Sequence, residues 1–193
     1  MKTDIVLAGV GGQGILSIAA VIGLAAVSQN LFLKQSETHG MSQRGGDVSS
    51  HLRISKGEVA SDLIPLGAAD LILSVEPMEA LRYLPYLSPK GYVVTNLTPF
   101  NNIPDYPSVE ELHASVKALP RVIAVDADAI AKEAGSARAS NIVMLGAASP
   151  YINISFESLE DGIRELFGRK GTAIVESNLK ALRAGRAFAE AYK

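Results

Sequence analysis

No cysteine occurs in the 193 residues. Iron–sulfur clusters and most structural zinc sites are held by cysteine thiolates, so this polypeptide is not an electron carrier by itself. Disulfides are excluded too, which fits a reducing cytoplasm. An excess of positive charge is also missing. Lys and Arg number 18 against 20 Asp and Glu, a net charge of -2, which leaves no basic field for nucleic acid or an anionic membrane surface. Ile15 to Val27 is nearly unbroken apolar sequence but falls short of the ~18 residues of a membrane span. Asp4 and the glycines at 9, 11, 12 and 14 interrupt a signal-peptide reading of the start. A soluble cytoplasmic protein is expected. Missing as well are a G-x-S-x-G nucleophile elbow, an H-E-x-x-H zinc helix and a cysteine nucleophile.

What is present is 48% hydrophobic sequence with only 20% charged residues, enough for one compact core, and no repeat, low-complexity tract or long linker divides it. A single domain over 1–193 is expected. Ile5 to Ala8, Leu31 to Leu33, Leu71 to Val75, Tyr92 to Thr95 and Val122 to Val125 read as short strands. Val48 to Ile54 alternates, with Val48, Leu52 and Ile54 on one side and Ser49, His51 and Arg53 on the other. That pattern predicts a strand wet on one face, turning at Lys56 and Gly57 into a further strand at Glu58 to Ala60. Helical stretches fall at Gln13 to Gln29, Met78 to Leu84, Val109 to Ala118, Asp126 to Glu133, Asn141 to Ala148, Phe156 to Phe167 and Thr172 to Tyr192. Strands alternating with helices imply a three-layer α/β/α fold with a mixed, mostly parallel sheet.

Two segments carry candidate chemistry. Gly9-Val10-Gly11-Gly12-Gln13-Gly14 sits between a predicted strand and a helix, where glycines let backbone approach an anion and free N–H groups point at it. Its G-x-G-x-x-G spacing, with Glu37 near the end of the second strand, keeps an NAD(P)-binding dehydrogenase open, as it does a turn that only packs. Ile15 stands where a Walker lysine would be needed, which removes nucleotide hydrolysis. The second segment, Ser36-Glu37-Thr38-His39-Gly40-Met41-Ser42-Gln43-Arg44-Gly45-Gly46, packs an acid, an imidazole, an amide and a guanidinium among three glycines. Arg44 with Gly45 and Gly46 can meet a carboxylate or phosphate, or Arg44 can simply pair with Glu37 and close the loop. Asp126, Asp128, Glu157 and Glu160 read as charges at helix starts.

Taken together, the two segments resemble the gamma-type domain of 2-oxoacid:ferredoxin oxidoreductases. The Glu-x-His-Gly-Met-x-Gln-Arg-Gly-Gly form is similar to the indolepyruvate branch, whereas the pyruvate and 2-oxoglutarate branches, which stay open, differ before the arginine. The resemblance continues through Val48 to Arg53, Glu76 to Arg82 and Asn141 to Ala147 and covers essentially the whole chain. It implies a heteromeric enzyme that decarboxylates an aryl pyruvate, adds coenzyme A and passes electrons to ferredoxin. Thiamine diphosphate and the iron–sulfur clusters would reside on a larger, cysteine-rich alpha subunit, with a homodimer possible in isolation. By the same resemblance, ligand contact is expected at Gly9, Gly11, Gly12, Gly14, Glu37, His39, Gln43, Arg44, Gly45 and Gly46.

Overall fold

The computed structural model describes residues 1–40 and 45–192. A six-stranded sheet runs in the order β2-β3-β1-β4-β5-β6. Its strands are β1 (Lys2–Val10), β2 (Phe32–His39), β3 (Asp47–Ser55), β4 (Ala69–Ser74), β5 (Leu87–Asn96) and β6 (Val122–Val125). The β1/β4, β4/β5 and β5/β6 pairs are parallel, and β3 runs antiparallel to both β1 and β2. The expected mixed, mostly parallel sheet is what forms.

Alternation along each strand sends residues to opposite layers. Ile5, Leu7, Leu71, Leu73 and Val94 join one buried cluster with α1 (Ile15–Ser28), α4 (Ala127–Glu133), α5 (Ser140–Ala148), α6 (Phe156–Phe167) and α7 (Thr172–Ala191). Val6, Ile72 and Val93 join a second, smaller cluster on the other face with Ala80 of α2 (Pro77–Arg82), and α3 (Val109–Lys117) flanks α2. Local chemistry sets the helix starts. Ser108 and Glu111 form a reciprocal capping box at α3, Asp126 caps α4 through the Ala129 N–H, and Ser155 caps α6 through the Ser158 N–H. No described helix is long and apolar enough to cross a membrane.

Three expectations fail. β2 does not end at Leu33 but continues to His39, because β3 offers it a ladder from Ser55 back to Val48. The strand at Glu58 to Ala60 does not form. Arg53 instead holds that connection by donating to the carbonyls of Ser61 at 3.1 Å and Leu63 at 2.9 Å, while Pro65 removes a ladder donor just beyond. For the same reason the polar face of β3 is dry: Ser49 is 6% and His51 8% exposed. Burial holds the His51 imidazole below its ordinary pKa, and its Nδ1 accepts the Ile64 N–H at 3.0 Å.

Candidate functional site

Chain direction places the site. β1 leads through α1 toward β2 on one side of the sheet, and β4 leads through α2 to β5 on the other. The carboxyl ends of β1 and β4 therefore flank a topological switch point, where ligands of open α/β sheets bind. The Gly9–Gly14 turn and Val75 occupy it.

The four glycines of the turn have separate tasks. Gly9 ends inside the sheet, where a Cβ would stand 2.4 Å from Val75 Cγ2, so it is a packing position. Gly11 donates its N–H to the Gly46 carbonyl at 2.8 Å and accepts the Gly45 N–H at 3.4 Å. Gly12 has φ of 101° and faces open space. Gly14 caps α1 in the left-handed region at φ 81°, and its carbonyl accepts the Asn141 amide at 3.1 Å. Gln13 folds back, its Oε1 taking the Val10 N–H at 2.8 Å. The N–H groups of Gly12, Ile15 and Leu16 have no acceptor among the described residues. They form a donor cluster at the positive end of the α1 dipole.

Of the second segment, Ser36 to His39 are strand and Gly40, Gly45 and Gly46 are loop; Gln43 and Arg44 lie outside the described residues. Glu37 and His39, two apart on β2, project from one face and pair with each other. The alternative in which Arg44 pairs with Glu37 therefore has a described competitor in His39. His39 reaches the glycine turn, lining a hollow of about 280 Å³ with Gly11, Gly12, Gly14, Leu16 and Val48. A second hollow of about 450 Å³ borders the other side of Gly12 and Gly14 and includes Ser17, Arg138, Asn141 and Lys170. A third, of about 250 Å³, opens at the ends of β4 and β5 beside Val75, Asn96, Phe100 and Asp128.

Glu37 is badly placed to hold a ribose. In a dinucleotide fold that acid stands on the strand beside β1. Here β3 intervenes, so β2 lies two strand spacings, roughly 10 Å, from β1.

Sequence reasoning missed the supports beneath the loop. Asn102 donates to the Gly45 carbonyl at 2.6 Å. Buried Glu76 caps α2 through the Glu79 N–H at 2.8 Å and also receives the Phe100 N–H and the Tyr106 hydroxyl. That tie holds the proline-rich connection against the site, and burial with the Glu76 contact raises the Tyr106 pKa. Arg138 and Lys170 were missed as well, since nothing local marks a cation that meets a glycine turn more than a hundred residues away.

Comparison with known proteins gives a consistent result. The family described as pyruvate ferredoxin/flavodoxin oxidoreductase matches residues 4–188. The chain is 42% identical to the indolepyruvate oxidoreductase subunit IorB of Archaeoglobus fulgidus, over 96% of this chain and 94% of that one. It is 39% identical to the subunit of the same name from Methanothermobacter thermautotrophicus, over 96% of each. Among solved structures it superposes with a TM-score of 0.79 and 25% identity on the 2-oxoglutarate:ferredoxin oxidoreductase of Magnetococcus marinus, determined with 2-oxoglutarate, coenzyme A and succinyl-CoA bound. It covers 100% of this chain but spans only 32% of that one. The keto/oxoacid ferredoxin oxidoreductase gamma subunit of Geobacter sulfurreducens matches at 0.72 and 26% identity, over 98% of this chain and 99% of that one.

Proposed function

The chain belongs to the pyruvate ferredoxin/flavodoxin oxidoreductase family, and from that premise we propose that it is the small subunit of a heteromeric indolepyruvate (aryl pyruvate):ferredoxin oxidoreductase. The assembled enzyme converts a 2-oxoacid to its acyl-CoA with release of CO₂ and transfer of electrons to ferredoxin. The observation that carries this reading is the end-to-end likeness to subunits named for that activity.

Thiamine diphosphate and the iron–sulfur clusters belong, in this reading, to a larger cysteine-rich alpha subunit. This chain has no thiolate, and its described residues contain no group of three or more His, Asp or Glu side chains able to hold a metal. Its contribution is a single domain, working in the cytoplasm, that presents the edge around Gly9–Gly14 and Glu37–Gly46 to the shared active site. Coenzyme A suits the hollow beside Gly12, where Arg138 and Lys170 face the start of α1, because its phosphates call for cations and free N–H groups. Arg44 and Gln43 would add directional donors from the loop, and His39 a proton-bearing group oriented by Glu37. Without its partner the chain could pair with a second copy of itself.

The test is reconstitution. The purified chain should be colourless and inactive, and indolepyruvate-dependent ferredoxin reduction should appear on adding the thiamine-dependent subunit. Ferredoxin reduction by the chain alone would overturn the division of labour.

A further inference from the structure

The connection after β5 is anchored at both of its ends. Leu97 donates its N–H to the Val125 carbonyl at 2.8 Å, and His113 Nε2 meets the Leu97 carbonyl at 2.8 Å. Further along, one carboxylate gathers the rest. Glu76 is fully buried, and its Oε1 accepts the Phe100 N–H at 3.2 Å and the Tyr106 hydroxyl, while its Oε2 caps α2. Hydrogen bonds to an ionised acceptor are roughly twice as strong as neutral ones, so residues 97–106 are held firmly.

Between those ties stands Asn102, whose side-chain amide reaches outward. It donates to the Gly45 carbonyl at 2.6 Å, across 57 positions of sequence. Among the described residues this is the one hydrogen bond that joins the connection to the β2–β3 hairpin loop. Gly45 has φ of 80°, where glycine carries no steric cost.

The far side of that loop rests on the glycine turn. The Gly46 carbonyl accepts the Gly11 N–H at 2.8 Å, and the Gly11 carbonyl accepts the Gly45 N–H at 3.4 Å. In a dinucleotide fold the second glycine of G-x-G-x-x-G lets the backbone approach the pyrophosphate. Gly11 holds that place here, and its N–H is already committed within the chain. The hairpin loop takes the donor that a nucleotide would meet, which leaves the N–H groups of Gly12, Ile15 and Leu16 to face a ligand.

We propose that Asn102 is a positioning residue: by holding the Gly45 carbonyl it clamps the hairpin loop onto Gly11, and so decides which N–H groups of the glycine turn remain for an anion. A role confined to stiffening its own connection does not account for the contact, because Leu97, Phe100 and Tyr106 anchor that connection without it. The clamp itself is independent of the reaction the assembled enzyme performs. Its effect on coenzyme A rests on the subunit reading and on the placing of that ligand beside Gly12.

The experiment is amide hydrogen exchange, resolved by nuclear magnetic resonance on the isotopically labelled full chain, for wild type, Asn102→Ala, Asn102→Gln and Tyr106→Phe. Exchange at Gly11 should quicken about tenfold in Asn102→Ala, the equivalent of about 1.4 kcal/mol and within the worth of one hydrogen bond. Gly40 donates to the Asp47 carbonyl at 2.8 Å at the base of the hairpin, a bond that does not involve Asn102, and should keep its protection. Asn102→Gln retains an amide donor and should recover part of the loss. Tyr106→Phe leaves Asn102 in place but frees its connection from one tie to Glu76, and should quicken Gly11 by a smaller factor. In the reconstituted enzyme, Asn102→Ala should raise the KM for coenzyme A about tenfold, with kcat and the KM for the 2-oxoacid unchanged. Unchanged exchange at Gly11 in Asn102→Ala would overturn the clamp, and so would an equal loss at Gly11 and Gly40, which marks a general loosening. A response at Gly11 with an unchanged KM for coenzyme A would uphold the clamp and overturn the placing of coenzyme A beside the turn.

Discussion

On the α1, α5 and α7 side of the sheet, Ile5, Leu7, Leu71, Leu73 and Val94 meet helices that approach closely enough for Gly146 and Gly185 to touch the facing backbone. On the α2 and α3 side β1 and β3 carry Asp4, Asp47, His51 and Arg53, and the packing there is wired by polar groups. Dispersion and apolar burial hold the first face, which is undirected and tolerates no extra volume. Hydrogen bonds and ion pairs hold the second, and these are directional and sensitive to protonation. The candidate site sits where the two meet. Its glycine turn is fixed by packing at Gly9 and by polar ties at Gly11.

The sharpest test of the wired face is Arg53→Ala. Asp4 is fully buried and would lose two of its bonds, although Lys2 remains on it at 2.7 Å. Breaking a buried pair costs about 3–5 kcal/mol, and the surviving lysine places this case near the lower end, about 3 kcal/mol. The corresponding fall in Tm is roughly 6–12 °C, read by calorimetry. A change within error would mean that the second face is held by its apolar residues after all.

On the packed face, Gly185→Ala puts a Cβ 2.0 Å from the Val143 carbonyl oxygen, and backbone must move. Overpacking of this kind costs about 1–3 kcal/mol. A urea midpoint that does not shift would show that α5 and α7 separate freely.

A smaller effect, and one only the wired face can show, is a pH-dependent difference between wild type and Glu79→Gln. Folded Glu79 keeps its proton to about pH 7, whereas unfolded glutamate loses it near its ordinary value. The folded chain therefore binds more protons within that window, and its stability falls as pH rises through it. Glu79→Gln lacks this slope, so its Tm should gain on wild type across the window and run parallel to it outside. Parallel curves throughout would remove Glu79 as a source of pH sensitivity.

The least effect on stability is expected for Arg44→Ala. A surface charge typically contributes less than about 1 kcal/mol to stability, yet a charge-assisted contact to a partner or ligand is worth about 1.5–3 kcal/mol. Affinity for the alpha subunit or for coenzyme A should then drop by roughly ten to a hundred times while melting stays put, with Arg44→Lys recovering only part. Unchanged assembly and kinetics would make Arg44 incidental.

Local pattern by itself determined a good deal of this protein. Short apolar runs marked β1, β4, β5 and β6, and the alternation of Val48 to Ile54 marked β3. The glycine turn announced the start of α1, and Asp126 read as a helix-start charge and is one. The absence of thiolates by itself excludes a cysteine-held cluster. These inferences hold because backbone geometry and capping depend on neighbours a few residues apart. Only the tertiary structure decided that β3 slips between β1 and β2, and the consequences follow from that insertion. It lengthens β2 to His39, sets Glu37 a strand too far from the glycine turn for a ribose, and buries the polar face of β3. It also brings Asp47 to the Tyr83 hydroxyl, while the connection after β5 carries Asn102 to Gly45 and Tyr106 to Glu76. Strand order is chosen by the free energy of closing long loops onto complementary hydrogen-bonding edges, and a segment's own periodicity holds no information about which edge it will meet.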